Sequence, residues 1–225
     1  KDAKTNLPYL AAFSESPGIL TIIFESGYNY EKYEKSQIEF TNLAINQVIK
    51  VKNVECLKII LRYLKPSKHS SDKTPLMLAV INNQNEAVSL LLKTKCDPEA
   101  VVADPFMRSN NAQCNLKFMT ALSYACFSKN YEAVKMIAGV LDEKNVDIPE
   151  NINAPAMIHS IVQSQDIRIA EIILQKNINV NRIDHDGCTA VHYMRDVGNE
   201  DEHIKMLDLI HKYKVAPLNS ATWQY

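Results

Sequence analysis

Two short stretches near the C-terminal end, Ala156-Met157-Ile158-His159 and Thr189-Ala190-Val191-His192, decide the reading of this chain. They have the same shape, and their histidines lie 33 residues apart (159 to 192). Between them run Ile169-Ala170-Glu171-Ile172-Ile173-Leu174 and then Asn177-Ile178-Asn179-Val180-Asn181. Self-similarity at such a period marks a repeat architecture, in which each unit is one supersecondary element. Working outward, Thr74-Pro75-Leu76-Met77 opens a similar unit, which continues to Glu86-Ala87-Val88-Ser89-Leu90-Leu91-Leu92 and closes at Lys95-Cys96-Asp97. Thr120-Ala121-Leu122-Ser123 opens another, followed by Glu132-Ala133-Val134-Lys135-Met136-Ile137.

These residues resemble the ankyrin repeat family, whose unit of about 33 residues has a T-P-L-H-x-A start, a short turn and a second helix. The best single match is Asp184-His185-Asp186-Gly187-Cys188-Thr189, which reads as the family's hairpin and helix start. Leu43 to Asn46 with Glu55 to Leu61 fit more loosely, and Leu7 to Ala12 with Ile19 to Gly27 form a first, partial unit. The resemblance covers about residues 5 to 219. It implies an all-α fold, a solenoid of about six stacked helix–turn–helix units at about 5–30, 40–65, 72–97, 118–148, 154–181 and 187–217. Helices are expected to start near Thr5, Leu43, Thr74, Thr120, Ala156 and Thr189. The 46 residues from Thr74 to Thr120 exceed the repeat and mark an insertion at 98–117. That insertion contains Val101, Val102, Phe106 and Met107, and reads either as a partner-binding loop or as an excursion pinned to the stack by Phe106. A smaller insertion, Asn199 to Glu202, separates the helices of the last unit.

The local chemistry fits such a unit. Thr74, Thr120 and Thr189 stand where a hydroxyl can accept from free backbone N–H groups, and Pro75 follows where its missing donor costs nothing. Leu76, Leu78 and Ala79 should face inward, with Val88, Leu91 and Leu92 on one stripe of the second helix and Leu207, Leu209 and Ile210 playing that part in the last unit. Gly187 suits a turn with positive φ, and Gly27 suits a helix C-cap. Gly198 falls at the turn between helices, where Lys52, Asn83, Lys129 and Gln165 stand in the other units. Lysine and glutamine tolerate a left-handed φ poorly, so those turns are expected to be the less regular ones.

Composition excludes several classes of function. The chain has 225 residues, 46% of them hydrophobic, and a formal net charge of -1. That balance argues against broad nucleic-acid binding, which needs clustered basic charge. No run of about 18 apolar residues is present, so no membrane insertion is expected. Five cysteines are scattered without a C-x-x-C pair, which suits reduced thiols and a cytoplasmic setting and offers no metal site. No nucleotide-binding glycine motif or nucleophile elbow occurs. No cofactor and no catalysis are expected. The chain begins at Lys1 and reads as a piece of a longer protein, monomeric in itself.

Asp184, His185, Asp186 and His192 resemble a carboxylate–histidine cluster, but their place at a hairpin tip makes a structural role the better reading. His159 and His192 are expected to hydrogen-bond backbone between units, as the resemblance implies. Cys126 is read as core and Cys188 as an exposed tip. Trp223, in the tail, reads either as a cover for the end of the stack or as part of a cut chain with further repeats beyond Tyr225.

The resemblance implies that the chain binds another protein through its hairpin tips and the concave face of its inner helices. The tip positions are Ser70, Ser71 and Lys73 in one unit and His185, Asp186 and Cys188 in another. The inner-helix positions are Lys50 and Val51, Ile81 and Asn82, Phe127 and Ser128, Gln163 and Ser164, and Asp196 and Val197. Ile81 and Phe127 stand out as apolar anchors on a surface that should be polar. The alternative is a regulatory or targeting segment of a larger enzyme or channel whose chemistry lies outside this chain.

Overall fold

Short helices in this chain begin where a side chain can satisfy their first N–H groups. The computed structural model describes residues 15–26, 34–66, 73–94, 96–103, 118–142, 146, 157–176, 178–183, 187, 189–194 and 200–213. Thr74 Oγ1 accepts from the Met77 amide at 3.3 Å and starts α4 (Pro75–Ile81), with Pro75 in its first turn. Thr120 Oγ1 accepts from the Ser123 amide at 3.1 Å and starts α6 (Ala121–Phe127). Before these come α1 (Pro17–Glu25), α2 (Glu34–Lys50) and α3 (Val54–Tyr63), and between them lies α5 (Asn85–Lys93). After them come α7 (Tyr131–Val140), α8 (Met157–Ser164), α9 (Ile167–Leu174) and α10 (Glu200–Lys212). Ser16 caps α1, whose C-cap is Ser26; Gly27 lies outside the described residues.

The inner row consists of α2, α4, α6, α8 and a 3-10 turn (Ala190–Met194), each touching the next. The outer row runs α1, α3, α5, α7, α9 and α10 in the same order. Burial follows the repeat: Leu76 and Ala79 on α4, Val88 and Leu91 on α5, Leu122 and Ala125 on α6, and Ile169 and Ile173 on α9 form one continuous core. Leu78 and Leu92 pack against it half-buried.

Four expectations are corrected. The second inner helix starts at Glu34, not near Leu43. Leu43 has no capping oxygen, and no glycine or proline lies between Glu34 and Asn42 to stop the helix extending backward. The last inner element is a 3-10 turn rather than an α-helix, and the Thr189 hydroxyl lies 2.9 Å from His192 Nδ1 instead of capping a helix. On α10 the buried pair is Met206 and Ile210, four residues apart; Leu207 faces outward and Leu209 is half-buried. Finally, the turns after the inner helices share one left-handed φ, and three of the four close alike. Lys52, Asn83, Lys129 and Gln165 take φ of 59°, 55°, 52° and 55°, and Glu15 takes 54°.

The turns are held by backbone geometry that overrides residue preference. Lys52 N–H donates to Ile49 O at 3.1 Å and Asn53 N–H to Val48 O at 3.1 Å. Asn83 and Gln84 repeat this pair on α4, and Lys129 and Asn130 repeat it on α6. This is the Schellman closure, which satisfies the last carbonyls of a helix with one left-handed residue. Gln165 N–H likewise donates to Val162 O, but the next amide, of Asp166, donates to Ser164 Oγ at 3.3 Å.

At the base of the insertion, Val102–Ala103 (β1) pairs antiparallel with Phe118–Met119 (β2), Val102 opposite Met119. Val102 and Met119 are buried, so the base of the excursion is closed by this ladder and joined to the core. Phe106, expected to be the pin, lies outside the described residues.

Candidate interaction surface

The residue after each left-handed turn stands at the N-cap of the outer helix, and Asn53, Gln84 and Asn130 reach back from it to the preceding unit. Asn53 Oδ1 accepts from Cys56 N–H at 3.0 Å, and its Nδ2 donates to Glu15 O at 2.9 Å. Gln84 Nε2 donates to Ile49 O. Asn130 Oδ1 accepts from Ala133 N–H at 3.1 Å while its Nδ2 donates to Asn83 Oδ1 at 2.7 Å and Asn85 Oδ1 at 2.8 Å. In the next unit the position is Asp166, which has no proton to give. Arg168 supplies the link instead: its Nη2 donates to Asp166 Oδ2 at 2.7 Å, and its guanidinium lies over the Tyr131 ring, 5.2 Å from the centroid. These hydrogen bonds from Arg168 hold the Asp166 carboxyl below the usual carboxylate range. The ladder fixes the ends of the inner helices side by side, one unit after another.

That row of ends carries most of the inner-helix positions expected from the sequence. Lys50 ends α2 and is exposed. Ile81 ends α4 and leaves 42% of its surface in solvent. Asn82 is half-buried, and its Nδ2 donates to Leu78 O at 2.8 Å. Phe127, at the same register on α6, is half-buried against the core, and Ser128 beside it is exposed while donating to Tyr124 O at 2.9 Å. Gln163 is half-buried, with its Oε1 out of solvent and without a hydrogen-bond partner. Asn46 Oδ1 and Ser160 Oγ on the inner row share that state.

Ser164 does not belong on this surface. It is 0% exposed; its Oγ donates to Ile161 O at 2.6 Å and accepts from the Asp166 amide, so the short hydroxyl turns back onto its own helix end. Among the tip positions only Lys73 is described, half-buried, its Nζ 5.9 Å from the centre of the Tyr124 ring. Ser70, Ser71, His185, Asp186 and Cys188 lie outside the described residues, as do Asp184, Asp196, Val197, Gly198 and Trp223.

The two histidines part company. His159 is 0% exposed, its ring meeting that of Tyr193 edge-on at 5.3 Å. His192 is exposed and bonds within its own unit, Nδ1 accepting from Thr189 N–H at 3.0 Å; the link between units expected of it is not made through that nitrogen. Cys126 is core as expected: burial pushes its thiol, and that of Cys96, up to about 12, and raises Cys56 too. Such thiols are poor nucleophiles at neutral pH. Among the described residues no group of three or more His, Cys, Asp or Glu could hold a metal ion, and no helix is long and apolar enough to cross a membrane.

Comparison with known proteins agrees with this geometry. A family model for ankyrin repeats (3 copies) matches residues 8–102. An ankyrin repeat protein of Fowlpox virus (strain NVSL), FPV223, is 30% identical over 146 residues, 64% of this chain and 91% of that protein. The chain belongs to the ankyrin repeat family. The match at 8–102 falls on the three N-terminal units, of which the first two read most loosely in sequence. In the sequence alone Lys52 and Lys129 stand out only as awkward turn residues. Their shared register with Asn83, two residues beyond the last inner-helix position, was the available signal that they join the same surface.

Proposed function

We propose that this ankyrin stack is a protein-interaction module that binds its partner along the exposed ends of the inner helices. One observation carries the reading: Ile81 and Phe127 occupy the same register in adjacent units, on a row otherwise made of Lys50, Asn82, Ser128 and Gln163. An exposed isoleucine beside a half-buried phenylalanine on a polar face provides an apolar centre with a polar rim, the arrangement in which a few anchors dominate binding energy. Stacked repeats build extended recognition surfaces of this kind, and the ladder through Asn53, Gln84 and Asn130 holds this one rigid before a partner arrives, which lowers the entropy lost on binding.

The test is site-specific photo-crosslinking in an extract of the native host cell. A photoreactive residue at Lys50, Ile81 or Ser128 should capture the same protein, and one at Glu132 or Lys135, on the outer row, should capture none of it. Capture from the outer positions alone, or from neither row, refutes the assignment.

A further inference from the structure

The same row of helix ends carries a charge pattern. Lys50 ends α2, and Lys52 occupies the left-handed turn that follows; both are exposed. Lys129 occupies the equivalent turn after α6 and is also exposed. Residues 50–52, 81–83, 127–129 and 163–165 contain three lysines and no acid, in a chain whose net charge is -1; the equivalent turn of the first unit carries Glu15, one step outside the lysine pair. Among the described residues none of the three lysines forms an ion pair, whereas Lys58 and Arg168 on the outer row do. Lys50 and Lys52 flank Ile81 on one side, and Lys129 flanks Phe127 on the other. The lysine pair and Lys129 are two unit steps apart, about 16–20 Å at ordinary helix spacing.

The geometry points to an acidic, apolar-centred peptide segment of a partner protein as the ligand of this row, a reading that rests on the interaction surface proposed above. Carboxylates toward both ends of the segment meet Lys50 with Lys52 and Lys129, and an apolar side chain between them covers Ile81 and the exposed part of Phe127. About six extended residues cover the distance. Nucleic acid fits less well, because a phosphate backbone would lay its charge over the uncharged, apolar middle unit. The backbone adds an argument. A lysine at φ near +55° is disfavoured relative to Gly or Asn, yet two of the three lysines stand there, and Asn83 in the unit between proves that asparagine fits.

That register supplies a test that spares the fold. The variant Lys50→Gln/Lys52→Asn/Lys129→Asn removes all three charges and places at both turns the residue the chain itself uses at Asn83. Short random peptides displayed on phage are selected on the wild-type chain, and the enriched peptides are then titrated against wild type and variant. Enriched peptides should hold Asp and Glu on both sides of an aromatic or aliphatic residue. Their affinity should fall on the order of tenfold in the triple variant and weaken with added salt, as expected for three exposed charge pairs. The melting temperature should stay level or rise; a fall in stability with unchanged affinity means the lysines serve only the helix C-terminal dipoles, and overturns the inference. Peptides that are neutral or basic yet lose affinity in Ile81→Asp overturn the acidic class while leaving the surface standing. Peptides indifferent to both variants, or none enriched, overturn both. Single-stranded RNA oligonucleotides and phosphatidylserine vesicles run as parallel probes; binding to either as tight as to the selected peptides also overturns it.

Discussion

Asn130 joins two roles in one side chain, and the two can be separated by mutation. Its Oδ1 caps α7 through the Ala133 amide, while its Nδ2 bridges to Asn83 and Asn85 of the preceding unit. Asn130→Ser keeps a capping oxygen but is too short to bridge, so it should cost only the two inter-unit hydrogen bonds, about 1–2 kcal/mol in total at ordinary net values. Asn130→Ala also removes the cap, which adds about 1 kcal/mol, for about 2–3 kcal/mol overall. The acceptors Asn83 and Asn85 lie near the surface and can return to water, which keeps the loss within that range. Urea unfolding followed by far-ultraviolet circular dichroism reads both values, and an unchanged slope with denaturant shows that only stability moved. The reasoning fails if the alanine variant costs less than about 1 kcal/mol, or if serine costs as much as alanine.

Three further outcomes are expected. Phe127→Ala should lower stability by about 1–2 kcal/mol, a fraction of the loss at a fully buried phenylalanine because Phe127 is only half-buried, whereas Ile81→Asp should change it by less than about 0.5 kcal/mol; a thermal melt that ranks them the other way refutes the exposure argument. For Arg168, the folded-state pKa of Asp166 lies below its unfolded value of about 4, so the native state binds fewer protons between the two, and the contribution of the pair is complete above about pH 5 and fades as pH falls through the folded value. The stability gap between wild type and Arg168→Gln should therefore be flat above that pH and shrink below it, and a gap that widens in acid contradicts the assignment. Cys96 and Cys126 should resist a thiol reagent at neutral pH until the chain unfolds; labelling of Cys126 within minutes in the native state, located by peptide mass spectrometry, would show that its helix opens locally.

The repeat was legible because its signals are local. Thr74 and Thr120 cap where their spacing from the first apolar residues says they should, and Leu76, Val88 and Leu91 bury as their periodicity requires. The misreadings came from interactions that spacing does not carry. The left-handed turns at Lys52 and Lys129 looked irregular by residue preference, but a closing pair of backbone hydrogen bonds outweighs a penalty of about 1–2 kcal/mol, and Gln165 keeps one bond of that pair. The early start of α2 needed the recognition that a missing cap leaves a helix free to run on. Ser164 looked like a surface serine because its register matches Ser128, and only the fold reveals that its hydroxyl turns back to Ile161. The lysine pattern is written in the sequence but becomes a surface only once the turns are known to align.

The small ladder between Val102–Ala103 and Phe118–Met119 makes the insertion a graft point. The chain leaves the stack at Ala103 and returns at Phe118 through a closed gate, so the spacing of α5 and α6 does not depend on how much sequence lies between. Loop-closure entropy grows only logarithmically with length, about 0.6 kcal/mol per doubling. Foreign segments, such as a fluorescent reporter or an epitope, spliced between 103 and 118 should therefore leave the neighbouring repeats in register, and natural variation in length should gather at the same place.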